Sequence, residues 1–88
     1  AEGKWARAVP LLDHAMQSGM ERVPWVLAAR SVAARELGDQ EEALSFALAA
    51  HELQPMNPYA ISALIAVLPE NDPKRIELEA KLRSVTAI

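Results

Sequence analysis

The sequence contains no cysteine, only three glycines, and two tryptophans, one tyrosine and one phenylalanine among its 88 residues. The absence of cysteine excludes disulfides and thiolate metal sites, and it leaves the redox compartment undetermined. Three glycines are too few for a glycine-rich phosphate-binding loop, and no GxSxG or P-loop pattern occurs. We therefore expect no enzymatic activity, no cofactor and no small-molecule substrate.

The sequence also lacks a long apolar segment. No apolar run reaches the roughly 18 residues that a membrane-spanning helix requires. No secretory signal peptide is recognisable, and the sequence begins with Ala1 rather than methionine, so we expect a fragment or a processed form. These features predict a soluble chain and favour a cytoplasmic location.

Positive charge is scarce, with nine lysines and arginines against twelve acidic residues, a net charge of −3 and a pI of about 5.3. Nucleic acids and anionic membranes are both bound through clustered lysine and arginine, so we expect neither as a partner. The last segment is locally basic, but interspersed glutamates indicate a solvated face. Its basic residues are Lys74, Arg75, Lys81 and Arg83.

The two histidines do not form a recognisable metal site. His14 and His51 lie 37 residues apart, and neither has a second ligand at a spacing such as HExxH. His51 falls near the end of a predicted helix, where a positively charged imidazole would interact favourably with the helix dipole.

A small acidic cluster resembles the paired carboxylates of acid–base catalysts. It coincides with a turn and a helix start, which favours helix capping and solvation over chemistry. Its members are Glu36, Asp39, Glu41 and Glu42.

Turn residues divide the chain into five helix-sized segments, and no alternating pattern predicts a β-strand. The composition suits short helices, because 51% of the residues are hydrophobic and alanine is very frequent. The predicted helices span about residues 4–18, 24–37, 40–54, 58–68 and 73–87. At this length the chain forms at most one domain.

Local signals define most helix ends. Gly19 and Gly38 are typical C-terminal glycines, and Asp39 and Asn57 are typical N-caps. A further start is expected at the segment Asn71–Pro73, where a cap precedes proline. The fifth helix is expected to form ion pairs at i,i+4 between Glu77 and Lys81 and between Glu79 and Arg83.

Pro10 interrupts the first helical pattern and leaves two interpretations open. Either the helix bends at this proline, which removes one backbone hydrogen bond, or its regular part begins near Val9 with Pro10 in the first turn.

Two proline–aromatic pairs reveal an internal repeat. Pro24-Trp25 and Pro58-Tyr59 lie 34 residues apart, and each begins a helical segment. This period is the length of a helix–turn–helix solenoid unit. Such units bury their apolar faces on their neighbours, which suits a chain too short for a thick core.

Residues 24–57 resemble a tetratricopeptide repeat. The family has a small residue midway along its first helix, Gly-Asp at the turn, and alanines with an aromatic residue along the second helix, followed by proline. The matching positions are Ser31, Gly38-Asp39, Ala43, Phe46 or Ala47, Ala50 and Pro55. The small residues would lie where the two helices cross.

The resemblance covers two and a half units: residues 1–22 as the second half of a unit with Gly3-Lys4-Trp5 at its turn, 23–57 as a central unit, and 58–88 as a degenerate last unit. The sequence departs from the family at Arg30, where a large apolar residue is preferred, and at Asp72 and Glu77 in the last unit. The resemblance implies an all-α fold of about five helices, in which antiparallel hairpins stack as a short right-handed solenoid.

The family geometry also implies a concave groove lined by the first helix of each unit. The side chains facing it would be Trp25, Ala28, Val32, Arg35, Tyr59, Ser62 and Ala66. Trp25 and Tyr59 would lie one repeat apart on the same face, as typical interface anchors. The alternative is that both rings pack against neighbouring helices.

Some members of the family bind a C-terminal carboxylate through lysine, arginine and asparagine in this groove. The corresponding positions hold Ala28, Val32, Ser62 and Ala63, so no carboxylate clamp is expected. Arg35 is the nearest cation, and a neutral or apolar segment is the expected ligand.

The resemblance implies a protein-interaction module that binds a peptide or a helix of a partner protein in a mostly apolar groove. The alternative is a structural spacer or self-association segment of a larger repeat protein, which would give homo-oligomers. A third possibility is that the module regulates an enzyme fused to it.

Overall fold

The computed structural model describes residues 2–20 and 23–86, and within them it contains five α-helices and no β-strand. The all-α class expected from the helical periodicity is therefore confirmed. The helices are α1 Glu2–Ala15, α2 Pro24–Glu36, α3 Gln40–Leu53, α4 Pro58–Val67 and α5 Pro73–Thr86.

Helix α1 is continuous through Pro10, so the start near Val9 is wrong. The turn expected at Gly3-Lys4-Trp5 is also wrong, because these residues are already helical and Gly3 does not adopt a positive φ. The helix widens into a π-type turn at Met16–Met20, in which Gly19 has a φ of 105°. Gly19 thus breaks the helix as expected, in a conformation that glycine adopts without steric penalty.

The turn between α2 and α3 depends on Gly38 and Asp39. Gly38 has a φ of 90°, and the backbone N–H of Asp39 donates to the carbonyl of Ala34 at 2.9 Å. The Asp39 carboxylate accepts a hydrogen bond of 3.0 Å from the backbone N–H of Glu42. This bond satisfies a donor that the first turn of α3 leaves unpaired, as the N-cap assignment predicts.

Two of the three proline-led helices, α4 and α5, begin with a side-chain cap, whereas α2 follows Val23, which makes no such bond. The Asn57 side chain accepts from the N–H groups of Tyr59 at 2.9 Å and Ala60 at 3.4 Å, with Pro58 at the first position of α4. Asp72 accepts from the N–H of Lys74 at 2.8 Å at the start of α5. Both caps are at the residues predicted from the sequence. The end predicted for α5, Ala87, lies outside the described residues.

Each helix packs on the next one along the chain, and α2 also packs directly on α4. The core is rich in alanine: Ala47, Ala50 and Ala60 are fully buried, beside the larger side chains of Ile61 and Leu64. Small side chains permit close approach of neighbouring helix backbones. Residues 37–39 join α2 to α3, and residues 54–57 join α3 to α4. Connections this short are typical of antiparallel neighbours, and two such reversals make α2 and α4 run in the same direction.

Arg30 is the principal buried charge, with only 8% of its surface exposed. Its Nε donates a hydrogen bond of 2.9 Å to Asp13 of α1, and its Nη2 forms an ion pair with Glu42 of α3 at 2.5 Å. The guanidinium also lies over the ring of Phe46, 5.0 Å from the ring centroid. The position where the tetratricopeptide pattern has an apolar residue is therefore filled by a charge that links three helices.

Helix α5 covers the end of the core with Leu78, while Leu82 and Val85 pack partly buried against the same cluster. Its ion pairing differs from the prediction. Glu79 pairs with Arg75 at 3.0 Å, and neither predicted i,i+4 pair forms among the described residues. Arg75 also donates from its Nη1 to the Leu68 carbonyl at 3.0 Å, so its guanidinium joins Glu79 to the end of α4.

Candidate partner-binding groove

A concavity of about 800 Å³ opens between α2 and α4, and we call it the α2–α4 groove. Because the two helices run in the same direction, side chains at equivalent positions of each helix face it together. Its lining consists of Trp25, Ala28, Ala29, Val32, Arg35, Asn57, Tyr59, Ser62, Ala63 and Ala66.

All seven residues that the resemblance placed in the groove lie along this concavity. Ala63, one of the positions compared with a carboxylate clamp, also lines it, together with Ala29 and Asn57. The sequence predicted only a capping role for Asn57. Its position two residues before Tyr59 is the signal that could have placed it in the groove. That these side chains bind a partner remains a prediction.

One end of the groove is aromatic. Trp25 and Tyr59 occupy the first turns of α2 and α4, and they expose 54% and 69% of their surface. Neither ring is buried by packing against the described neighbouring helices. Two large, amphipathic rings at one edge of a cleft supply contact area with few rotatable bonds.

The floor of the groove is made of small side chains. Ala28 and Ala63 are almost fully buried, while Ser62 and Ala66 are exposed along the opening. A surface without long side chains leaves room for an incoming segment and loses little side-chain entropy when it is covered.

Two polar side chains in the groove already have partners within the chain. The Asn57 amide is used internally, since its Oδ1 caps α4 and its Nδ2 donates to Gln54 at 3.0 Å. Arg35 is half-buried, and its Nη2 lies 3.3 Å from the carboxylate of the adjacent Glu36. The four positions of a carboxylate clamp hold no charged side chain, as the sequence indicates.

Three of the four members of the acidic cluster at the α2–α3 turn make structural contacts. Asp39 caps α3, Glu42 pairs with Arg30, and Glu36 pairs with Arg35. Within the part of the chain that is described, no group of three or more histidine, cysteine or acidic residues is arranged to hold a metal ion.

His51 lies in the last turn of α3, and its Nε2 is buried without a hydrogen-bond partner. Burial lowers the pKa of His51, and the charges of Lys81 and Lys74 lower it further, against an opposing effect of Glu52. The lowered pKa disfavours the imidazolium, so the expected interaction of a charged His51 with the helix dipole is opposed by its surroundings.

None of the helices in the described ranges is both long enough and apolar enough to cross a bilayer. The sequence matches no model of a known protein family, no curated protein and no solved structure. The interpretation of the groove therefore rests on its own geometry and chemistry.

Proposed function

We propose that this chain is a protein-interaction module that binds a peptide or helix of another protein in the α2–α4 groove. The observation that carries the proposal is the position of Trp25 and Tyr59, two exposed rings that flank one end of a cleft with a small-residue floor. Exposed aromatic side chains beside a concave apolar surface are the usual composition of an interface centre.

We also propose that the helices form a short tetratricopeptide-like stack. The 34-residue period, the glycine turn at Gly38 and the direct packing of α2 on α4 support this arrangement. In such a stack the first helices of successive units line one surface. A partner segment would then contact α2 and α4 at the same time, on a two-walled surface that neither helix provides alone.

The groove is open, so we expect moderate affinity. Covering two aromatic rings and an alanine floor has to offset the loss of rigid-body freedom and the ordering of the partner segment. The resulting net free energy of binding corresponds to a dissociation constant on the order of micromolar.

A quantitative pull-down tests the proposal directly. The wild-type chain is compared with the double variant Trp25→Ala/Tyr59→Ala and with the control Leu11→Ala/Ile76→Ala, which removes two other exposed apolar side chains outside the groove. We expect a partner that the wild type and the control capture and the groove variant loses. Circular dichroism establishes that all three proteins are equally helical.

A second variant blocks the groove without removing an anchor. Ala66 is exposed at the groove opening, so Ala66→Trp adds bulk there without disturbing the core. The same capture should be lost. Equal capture by wild type, groove variant and blocked variant would refute the groove as the binding site. A mass that rises with concentration and is unaffected by either groove change would favour the self-association alternative.

A further inference from the structure

The two ends of the α2–α4 groove differ chemically. Trp25 and Tyr59 lie in the first turns of their helices, whereas Arg35 lies in the last turn of α2. Ten residues separate Trp25 from Arg35, which corresponds to about 15 Å along the helix axis. Over about three helical turns, the groove therefore runs from the end with Trp25 and Tyr59 to the end with Arg35.

Among the described side chains that line the groove, Arg35 carries the one formal charge. Its ion pair with Glu36 joins adjacent residues at 3.3 Å on a solvated surface, and such pairs contribute little. A guanidinium has five N–H donors, so Arg35 retains donors for a carboxylate from an occupant.

The walls of the groove favour a helical occupant. An extended peptide needs partners for its backbone N–H and C=O groups, but the groove is bounded by helices whose backbone groups are bonded internally. The Asn57 amide, which could have bonded a peptide backbone, is already engaged by Gln54 and the start of α4. A helix satisfies its own backbone, and a small-residue floor allows it to approach closely.

The direction of the occupant follows from the direction of the walls. Because α2 and α4 run the same way, both present their carboxyl ends, with partial negative charge, at the Arg35 end of the groove. An antiparallel occupant would place its amino-terminal end there. Acidic residues are favourable in the first turn of a helix, and in this orientation the same residues would reach Arg35.

We infer that the occupant is an amphipathic helix of a partner protein, antiparallel to α2 and α4, with an acidic residue in its first turn against Arg35. A large apolar side chain about three turns later contacts Trp25 and Tyr59. This inference rests on the proposed function and specifies the chemistry of the partner at the same groove.

Selection from a displayed library of helix-forming peptides provides the test. The immobilised chain is the bait, and the blocked variant Ala66→Trp removes peptides that bind elsewhere. We expect enriched peptides to have an apolar stripe with aspartate or glutamate in the first turn. A spin label at the amino terminus of such a peptide should broaden amide signals near Arg35 more than those near Trp25.

Affinities of the selected peptides complete the test. Arg35→Gln should weaken binding about fivefold, with the difference shrinking at high salt, as expected for a partly exposed ion pair. Arg83→Gln is the matched control, because Arg83 is an exposed arginine outside the groove and should leave affinity unchanged. Groove-dependent peptides without an acidic preference, or with the reverse direction, would overturn this inference and leave the proposed function standing. Absence of groove-dependent peptides would overturn both.

Discussion

The Ser31 hydroxyl of α2 donates a hydrogen bond of 2.6 Å to the backbone carbonyl of Ala43 in α3. Ser31 is 1% exposed and Ala43 is fully buried, so the bond lies inside the contact between the two helices. A small side chain at this position allows the helices to approach closely, and its hydroxyl is satisfied by the neighbouring backbone.

Enlarging Ser31 should separate α2 from α3. We expect Ser31→Leu to lower the free energy of unfolding by about 2–3 kcal/mol, because the larger side chain would have to fit into a site that is 1% exposed and lies inside the helix contact. Ser31→Ala should cost about 1 kcal/mol through loss of the hydrogen bond. Urea denaturation measures both, and Ser45→Leu on the exposed face of α3 is the control, expected to change stability by less than about 0.5 kcal/mol. Equal effects at both serines would contradict the packing described for this contact.

The ion pairs of Arg30 give an asymmetric prediction. The Arg30 side chain is 9% exposed, while those of its partners Asp13 and Glu42 are 42% and 40% exposed. Removing both carboxylates as Asp13→Asn/Glu42→Gln leaves a buried guanidinium without a counter-charge and should cost about 1–2 kcal/mol. Arg30→Met leaves only solvated carboxylates and keeps an apolar contact with Phe46, so it should cost less than about 1 kcal/mol. Thermal denaturation distinguishes the two, and a larger loss for Arg30→Met would contradict the account.

His51 should make stability depend on pH. Its pKa in the folded chain is lowered, first by burial and then by Lys81 and Lys74, whereas the unfolded chain protonates it near the ordinary value of 6.5. Below about pH 6.5 the unfolded state therefore binds more protons than the folded state. The contribution of neutral His51 to the free energy of unfolding is present above that pH and is lost on acidification.

Urea midpoints measured at about pH 7.5 and about pH 5.5 check this effect. In His51→Gln the urea midpoint should fall less between these two pH values than in the wild type. NMR titration of the wild-type imidazole should show a pKa below the ordinary range. Lys81→Gln should move that pKa upward, since it removes one of the two repelling charges. An imidazole pKa above the ordinary value would contradict the buried environment described.

Replacing Gly38 with a residue that has a Cβ atom should destabilise the turn between α2 and α3. Its φ of 90° is strained for a residue with a Cβ atom, so Gly38→Ala should destabilise the chain by about 1–2 kcal/mol although no neighbouring atom would clash. Gly3 provides the contrast, because it lies in α1 without a positive φ, and Gly3→Ala should be neutral or slightly stabilising. Comparing the two melting temperatures separates backbone strain from the general effect of adding a methyl group.

Local sequence signals predicted much of the fold. Asp39, Asn57 and Asp72 cap the helices where their position before a helical run indicates, because capping depends on residues only two or three positions away. The 34-residue repeat also placed Trp25 and Tyr59 on one surface. Whether that surface binds a partner is a separate property, and it stays a prediction.

Long-range contacts were not predictable in the same way. The partners of Arg30 lie 17 and 12 residues away on different helices. The departure from the tetratricopeptide pattern at this position marks an unusual residue, but it does not indicate which carboxylates Arg30 contacts. Similarly, the sequence left open whether α1 continues through Pro10, and its i,i+4 spacings did not show which of the possible ion pairs of α5 would form. These features arise from packing rather than from propensity.

The central claim is that the α2–α4 groove is the surface that receives a partner. Backbone amide shifts of the labelled chain, followed while a captured partner segment or selected peptide is added, test it most directly. The account predicts saturable changes concentrated between residues 25 and 35 and between residues 57 and 66, with the indole signal of Trp25 among them. Changes concentrated instead on the outer faces of α1 and α5, with the groove unaffected, would contradict it.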